Sequence, residues 1–363
     1  MIRVFVVDDS AFARRATTKV LALDPELRVV GEAAGGAEAL ARIPESSVDV
    51  VTLDLDMPGM DGLAVLRTLL ARDPRLRVVM LSAHTQEGAE ATLEALAAGA
   101  ADFLDKSRFG LMDLEGLGHE LRERVKAVGA RRGGAAATGP GARMAKGTAA
   151  AAEGQRGTVP SSPPGPLPID LCVIGASTGG PAAIQAILER LPPDFPVPIA
   201  IVQHMPPGFT RPFAARLDLH SRLRVSEAEQ GERLGAGQVV IAPAGRHLTF
   251  TPRLEVVLSA EPAEARHIPS VNVMMLSAAR VRPGRVLAVL LTGMGDDGAD
   301  GMVAIRAAGG VTVAESEESC VVYGMPRAAA ERGGANHLLP IGELAGWLAG
   351  VKATSRGGAP ARR

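Results

Sequence analysis

Acidic side chains, a hydroxyl and an ammonium follow short apolar runs in the first third of this 363-residue sequence. Asp8 and Asp9 end the first run, and Asp54 ends the third. Ser82 ends the fourth run, and Lys106 follows the fifth. Carboxylates that converge repel one another unless a divalent cation lies between them, and hard oxygen ligands suit Mg²⁺. A hydroxyl and an ammonium beside them can bind the oxygens of a phosphoryl group carried by Asp54.

A second chemical motif is Gly-Ala-Ser-Thr-Gly-Gly-Pro at residues 175–181, with Ser177 in its middle. The glycines permit a sharp turn, and Pro181 suits the first turn of a following helix. The N–H groups at the start of that helix can bind an oxyanion or a phosphate. The motif is therefore compatible with a nucleophilic serine or with a nucleotide cradle. The nucleotide alternative is weaker because neither a Walker lysine nor a regular Gly-x-Gly-x-x-Gly spacing is present.

A general base and an acid follow later apolar runs. His204 comes at the end of the run 199–203, where a base must lie to take a proton from Ser177. Asp296 and Asp297 both follow a buried run, and spacing alone does not choose which of them orients the histidine. Other histidines are interpreted as ordinary surface or core residues: His84, His119, His220, His267 and His337.

Alternating strand and helix patterns must position these side chains. In the N-terminal half the predicted strands are 4–7, 29–33, 48–53, 78–81 and 102–104, and the predicted helices are 11–23, 37–43, 62–71, 88–98 and 116–128. Strands that alternate with helices form a parallel sheet covered on both faces. The carboxyl ends of its strands meet at one edge, where ligands of doubly wound folds bind.

The C-terminal half has a similar pattern. Predicted strands are 171–175, 199–203, 286–291 and 311–314, with helices at 181–191, 271–281 and 299–308. Residues 224–258 read as shorter β segments with turns, so we expect a doubly wound α/β domain with a small β-hairpin region.

Composition divides the chain into four parts. Residues 128–167 are rich in Ala, Gly and Pro and lack apolar periodicity, which predicts a flexible linker. We therefore expect one domain at 1–127, a second at 168–350, and a disordered tail at 351–363.

Bulk properties exclude several classes of function. The formal net charge is −1, with no basic stripe and no compact recognition helix, so no nucleic-acid partner is expected. No apolar run is long enough for a membrane helix, and no secretory signal is visible. Cys172 and Cys320 lie in apolar runs and suit a reducing compartment. We expect a cytoplasmic protein without membrane insertion.

The N-terminal motifs Val-Val-Asp-Asp-Ser, Leu-Asp-Leu-Asp-Met-Pro-Gly-Met-Asp-Gly, Met-Leu-Ser-Ala and Asp-Phe-Leu-Asp-Lys resemble the response-regulator receiver signature. The resemblance implies a flavodoxin-like five-stranded receiver that a histidine kinase phosphorylates. In the implied site Asp54 is the phosphoacceptor, and Mg²⁺ is held by Asp9, Asp54 and the Asp56 carbonyl, with Asp8 as a supporting acid. Ser82 and Phe103 are the implied switch pair, and Lys106 completes the site. Ser107 departs from the family, which usually has proline at this position.

Motifs at 174–181, 203–206, 242–248, 269–271, 291–298 and 320–326 resemble the methylesterase domain of chemotaxis regulators. The resemblance implies that Ser177 is the nucleophile, His204 the general base and acid, and Asp297 the triad acid. Backbone N–H groups of Thr178 and Met294 are then the oxyanion donors, and this domain needs no metal.

Two features of this second half stay open. Asn272 stands where the family more often has Asp, and we expect an effect on the substrate groove or on stability rather than loss of catalysis. Arg246 and His247 either line the substrate groove or hold a turn together.

The resemblance implies hydrolysis of glutamate methyl esters on chemoreceptors, with deamidation of receptor glutamines, under phosphorylation control. In that scheme the receiver can dock over the esterase groove and exclude a helical substrate. One alternative keeps the hydrolase but assigns it to a sensory array other than that for swimming. A second, a non-catalytic phosphate sink or adaptor, is disfavoured because all three triad residues are present. A DNA-binding regulator is disfavoured by charge and pattern.

Overall fold

The computed structural model describes residues 1–43, 48–82, 86–106, 114–130 and 168–352. These residues belong to two units, and each is described by itself. His84, Ser107, residues 131–167 of the predicted linker and the tail from residue 353 lie outside the described part of the chain.

The first unit alternates strands and helices throughout. Its elements are β1 Ile2–Val7, α1 Ala11–Leu21, β2 Leu27–Ala33, α2 Gly36–Arg42, β3 Val50–Asp54, α3 Gly62–Arg72, β4 Arg77–Ser82, α4 Gln86–Ala97, β5 Asp102–Asp105 and α5 Leu114–Gly129. The sheet has the order β2-β1-β3-β4-β5, and every pairing is parallel. This is the predicted flavodoxin-like receiver order, which is confirmed.

Strand register brings the predicted acids to one edge of this sheet. Val7 of β1 lies opposite Leu53 of β3, so Asp8, just after β1, lies beside Asp54, the last residue of β3. Ser82 of β4 lies opposite Asp105 of β5, which places it beside the start of the Lys106 loop. Helix starts are capped at the same edge, for example by Ser10, whose Oγ accepts from the Ala13 N–H.

The second unit is built on a larger parallel sheet. Its elements are β6 Leu171–Ala176, α6 Gly180–Leu188, β7 Ile199–Gln203, α7 Thr210–His220, β8 Arg224–Glu227, β9 Gln238–Ile241, β10 His247–Phe250, β11 Val256–Ser259, α8 Val271–Val281, β12 Val286–Leu290, α9 Ala299–Ala307, β13 Val311–Glu315, α10 Met325–Glu331, β14 His337–Leu339 and α11 Ile341–Ala349. Seven parallel strands have the order β14-β13-β12-β6-β7-β9-β8, and β10 and β11 form a separate antiparallel pair.

The topology confirms the predicted doubly wound domain with a small hairpin. From β6 the chain first adds β7, β9 and β8 on one side and later adds β12, β13 and β14 on the other. A ligand site of such a sheet lies beyond the carboxyl ends where the direction of strand addition reverses. Here that place follows β6 and its neighbours. Helices α7, α10 and α11 and strand β14 have no counterpart among the predicted elements.

Helix α8 packs closely on the strand that precedes the site. Gly175 lies in β6, and a Cβ built there would lie 2.2 Å from Cγ1 of Val271, the first residue of α8. Only glycine therefore allows this approach. Both Val271 and the surrounding strand residues are buried in the core of the unit.

Candidate functional site

Ser177 lies in the turn between β6 and α6. Its N–H donates to the Thr292 carbonyl at 3.0 Å. Gly293 lies against it so closely that an added Cβ would come within 2.8 Å of the Ser177 Cβ. The loop after β12 therefore supports the serine directly, and the absence of a side chain at Gly293 is what permits the contact.

His204 follows the neighbouring strand. Ala176 of β6 pairs with Gln203 of β7, and the His204 N–H donates to the Ala176 carbonyl at 3.1 Å. The buried Gln203 amide donates to the carbonyls of Ser177 and His204, at 2.9 and 3.1 Å. Gln203, which the sequence analysis did not name, thus ties the backbones of the two residues together.

Asp297 is the acid that the structure brings to His204. Its Oδ2 lies 2.9 Å from the histidine Nε2. The other ring nitrogen, Nδ1, is buried and has no hydrogen-bond partner within the described ranges. With Nε2 held by a carboxylate, Nδ1 is the nitrogen available to accept a proton.

The start of α8 surrounds the Asp297 carboxylate with donors. It accepts from the Ser270 hydroxyl and from the N–H groups of Val271 and Asn272, at 2.8, 2.7 and 2.8 Å. Burial raises the pKa of Asp297, but the hydrogen bond and charge of His204 and these N–H donors outweigh it and bring the pKa to about 2. The group is therefore an anion at neutral pH.

Asp296, the neighbouring acid, points elsewhere. Its carboxylate pairs with the Arg332 guanidinium, which also binds Asp300. The pair is exposed at the surface. The choice that spacing left open is thus made by the loop geometry, in favour of Asp297 as the partner of His204.

Asn272 links two helices. Its N–H binds Asp297, and its side-chain Oδ1 accepts from the Gly301 N–H at 2.8 Å. An aspartate oxygen can accept the same bond, so this departure from the family preserves the link between α8 and α9.

His247 holds a turn, while Arg246 is exposed. The fully buried His247 ring accepts from the Ser270 N–H at its Nδ1, at 3.1 Å. Its Nε2 must then carry the proton, and it lies 3.1 Å from the Pro262 carbonyl. Of the two alternatives for His247, the structure supports the turn-holding one.

Glu315 is a site residue that the sequence analysis missed. It ends β13 at the same sheet edge and is 1% exposed. Its carboxylate accepts from the Thr292 N–H and the Ser319 hydroxyl, both at 2.8 Å. Because the Thr292 carbonyl binds the Ser177 N–H, Glu315 buttresses the peptide that holds the serine. The sequence signal that could have identified Glu315 is an acidic residue at the end of an otherwise apolar strand.

His267 is the second omission. Its ring stacks on that of His204, with centroids 4.2 Å apart and planes inclined by 20°. The sequence did not predict this contact between the two rings.

The predicted oxyanion donors lie in the two turns next to Ser177 and Asp297. Thr178 precedes α6 by two positions, and Met294 follows Gly293. The Gly293 N–H donates to the Val322 carbonyl, and its own carbonyl accepts from Met325, at 3.0 and 2.9 Å. These bonds hold the turn that contains Met294.

In the first unit, Asp8, Asp9 and Asp54 form one cluster whose carboxylate oxygens lie within 4.8 Å of one another. The Lys106 ammonium lies 2.6 Å from Asp54 and 3.5 Å from Asp8. Burial raises the pKa of both Asp8 and Asp54, and Lys106 offsets part of that effect.

This cluster fits a divalent cation. Oδ2 of the fully buried Asp8 accepts no hydrogen bond in the part of the chain that the structure describes. The donors are hard oxygens of two buried acids and one exposed acid, which is the set that Mg²⁺ prefers. The Asp56 N–H, rather than its carbonyl, is the group seen bonded to Asp54, at 3.2 Å.

Ser82 and Phe103 are both buried in this unit. The Ser82 and Thr92 hydroxyl oxygens lie 2.7 Å apart, and Thr92 on α4 also donates to the Gly88 carbonyl at 2.6 Å. Thr92 was not predicted, and it links the hydroxyl at the end of β4 to the first turns of α4.

Comparison with known proteins gives two family matches. Residues 172–348 match the CheB methylesterase family, and residues 4–114 match the response regulator receiver domain. The chain is 45% identical over 361 residues to protein-glutamate methylesterase/protein-glutamine glutaminase 1 of Oleidesulfovibrio alaskensis, covering 95% of this chain and 98% of that protein. It is 44% identical over 349 residues to protein-glutamate methylesterase/protein-glutamine glutaminase of Symbiobacterium thermophilum, covering 95% of each.

A solved structure is also similar to part of this chain. The Thermotoga maritima CheB methylesterase catalytic domain is 41% identical, with a TM-score of 0.48, and the match covers 50% of this chain and 97% of that domain.

Proposed function

This chain belongs to the protein-glutamate methylesterase/protein-glutamine glutaminase family, and we propose that Ser177, His204 and Asp297 carry out its hydrolysis. It is a phosphorylation-regulated serine esterase that demethylates glutamate methyl esters on chemoreceptors and deamidates receptor glutamines in chemotactic adaptation. The observation that carries the residue assignment is the His204–Asp297 bond of 2.9 Å beside the Ser177 turn.

The first half of the reaction acylates the serine. Ser177 Oγ attacks the γ-carbonyl of the methylated glutamate while Nδ1 of His204 takes the hydroxyl proton. Asp297 remains ionised because its pKa is about 2, and it stabilises the imidazolium through the bond at Nε2. The tetrahedral oxyanion is held by the N–H groups of Thr178 and Met294, of which one such donor is worth roughly 3–4 kcal/mol in comparable hydrolases.

The second half releases the product. The methoxy group leaves with the proton from His204 as methanol, and the acyl group remains on Ser177. Water then attacks this ester, gives its proton to His204, and the proton returns to Ser177 as glutamate departs. A glutamine substrate follows the same steps, with ammonia as the first leaving group.

The receiver carries the regulatory site. Asp9, Asp54 and the Asp56 carbonyl would hold Mg²⁺, with Asp8 beside them, and Asp54 would accept the phosphoryl group from a histidine kinase. When bound, the cation offsets the charge of the acids and of the phosphoryl oxygens. Lys106 and Ser82 would bind the remaining oxygens, in line with the contact between Lys106 and Asp54.

Phosphorylation would draw Ser82 away from Thr92. The hydroxyl now bonded to α4 would turn toward the phosphoryl group, and Phe103 would repack beside it. This shifts a population of receiver conformations and thereby alters how the receiver controls access to the esterase.

Membership of this family supports the proposed partners. Chemoreceptors are the substrate and a histidine kinase is the phosphodonor. No helix of the described segments is both long and apolar enough to cross a membrane. The cytoplasmic location and the absence of nucleic-acid and membrane partners stay predictions.

The direct test is release of labelled methanol from methylated chemoreceptor membranes. Ser177→Ala should abolish release, whereas the matched change at the exposed Ser226 in β8 should preserve it. If the Ser177→Ala variant still releases methanol as wild type does, the assignment of Ser177 as the nucleophile is contradicted. No release by wild type would assign the hydrolase to a different ester.

A further inference from the structure

The loop that carries His267 is held by hydrogen bonds on both sides of this residue. Before it, the Pro262 carbonyl is bound by Nε2 of the buried His247. After it, the Ile268 carbonyl accepts from the Gly245 N–H at 3.0 Å, and the Ser270 N–H donates to the same His247 ring at 3.1 Å. The backbone on either side of His267 is therefore held against the start of β10, and the ring is positioned before any substrate binds.

That ring covers one face of the imidazole proposed as the general base. The 4.2 Å centroid separation and 20° inclination describe a near-parallel stack. A hydrogen bond to Asp297 restrains only one edge of the His204 ring, at Nε2. A ring held against the face restrains tilting about that bond, so the two contacts together determine where Nδ1 points.

The stack also matters when His204 gains charge. The imidazole becomes a flat cation during each proton transfer, and a neutral aromatic ring over its face attracts such a cation. An aliphatic side chain would fill the space without supplying that face.

We propose that His267 is a positioning residue for the hydrolytic reaction, acting by stacking its ring on His204 rather than by touching substrate. This inference rests on the proposed function only through the role of His204 as the base for Ser177. It predicts that an aromatic face at position 267 is what positions the His204 ring.

The test separates the ring from its nitrogens. His267→Phe keeps an aromatic face, whereas His267→Leu keeps bulk without one, and His220→Leu on the exposed end of α7 is the matched control. The full chain is incubated with a fluorophosphonate, which forms a Ser177 Oγ–phosphorus bond, expels fluoride and passes the serine proton to His204. This labelling rate needs no chemoreceptor. The kcat and KM for methanol release are measured in parallel.

We expect His267→Phe and His220→Leu to label within about twofold of wild type, and His267→Leu to label about tenfold more slowly. In methanol release the loss should fall on kcat with KM unchanged, with far-ultraviolet circular dichroism showing each variant folded. Labelling of His267→Leu at the wild-type rate would overturn the proposal, and so would an equal loss in His267→Phe and His267→Leu. If wild type labels but releases no methanol, the proposed substrate fails while the inference stands.

Discussion

At the scale of single residues, two adjacent carboxylates lie in different environments, one buried and one exposed. Asp297 lies under the N-terminus of α8 with three donors and His204 around it, whereas Asp296 is paired with Arg332 at the surface. The backbone turn therefore decides which acid is buried, ionised and bound to the base.

Changing each acid to its amide tests this difference. Asp297→Asn should lower kcat for methanol release by at least about 100-fold, because the amide no longer stabilises the imidazolium and can favour the wrong tautomer. Asp296→Asn is the matched control and should stay within about twofold, since exposed ion pairs contribute little. Similar losses in both variants, measured by steady-state kinetics, would contradict the assignment of Asp297.

The low pKa of Asp297 also predicts how stability depends on pH. The folded pKa of about 2 lies below the ordinary value of 3.8, so on acidification the unfolded chain takes up this proton first. The stabilisation is complete above about pH 4 and is lost as pH falls through the folded pKa. Urea unfolding at pH 6 and pH 3, followed by Trp347 fluorescence, should show a smaller loss for Asp297→Asn than for wild type. The single tryptophan is buried in α11, so it reports on the esterase unit.

At the scale of elements, the approach of α8 to β6 shapes the site. Gly175→Ala would place a methyl group 2.2 Å from Val271 and force the helix away. We expect a loss of about 1–3 kcal/mol in the free energy of unfolding. Gly346→Ala in α11 is the control, because a Cβ there meets nothing within 4 Å. It should instead gain about 0.5–1 kcal/mol through the better helix propensity of alanine. If urea unfolding shows equally small changes in the free energy of unfolding for Gly175→Ala and Gly346→Ala, α8 does not pack this tightly on β6.

The end of β13 supports the serine turn from behind. Glu315→Ala would leave the buried Thr292 N–H without its carboxylate acceptor, which costs about 1–3 kcal/mol. The kcat for methanol release should fall as well, because the Thr292 carbonyl holds the Ser177 N–H. Glu318→Ala, at an exposed position of the following turn, should change neither quantity. If the Glu315→Ala enzyme is as active and as stable as wild type, Glu315 does not support the Ser177 turn.

At the scale of the whole molecule, the sheet-edge rule explains what could be predicted. Asp8, Ser177 and His204 follow apolar strands and Asp54 ends one. Parallel strands bring such positions to one edge of a sheet. From this rule, one sequence was enough to predict that the acids form a cluster and that Ser177 and His204 lie close together. It did not distinguish Asp296 from Asp297, for which the family resemblance was needed.

What escaped prediction depends on contacts between distant segments. Glu315 and His267 reach the site from a strand and a loop whose positions follow from the packing of the whole unit, and neither belongs to a local motif. Likewise, strand pattern alone did not reveal that β8 and β9 join the main sheet while β10 and β11 form a separate pair.

The most direct measurement of a phosphorylation-regulated esterase is methanol release from methylated chemoreceptor membranes with and without acetyl phosphate and Mg²⁺. Wild type should release more methanol with the phosphodonor, and chelation of Mg²⁺ should abolish that increase. Asp54→Asn should keep basal release but not respond, and Ser177→Ala should release none under either condition. An increase that persists in Asp54→Asn, or release that persists in Ser177→Ala, would contradict the account.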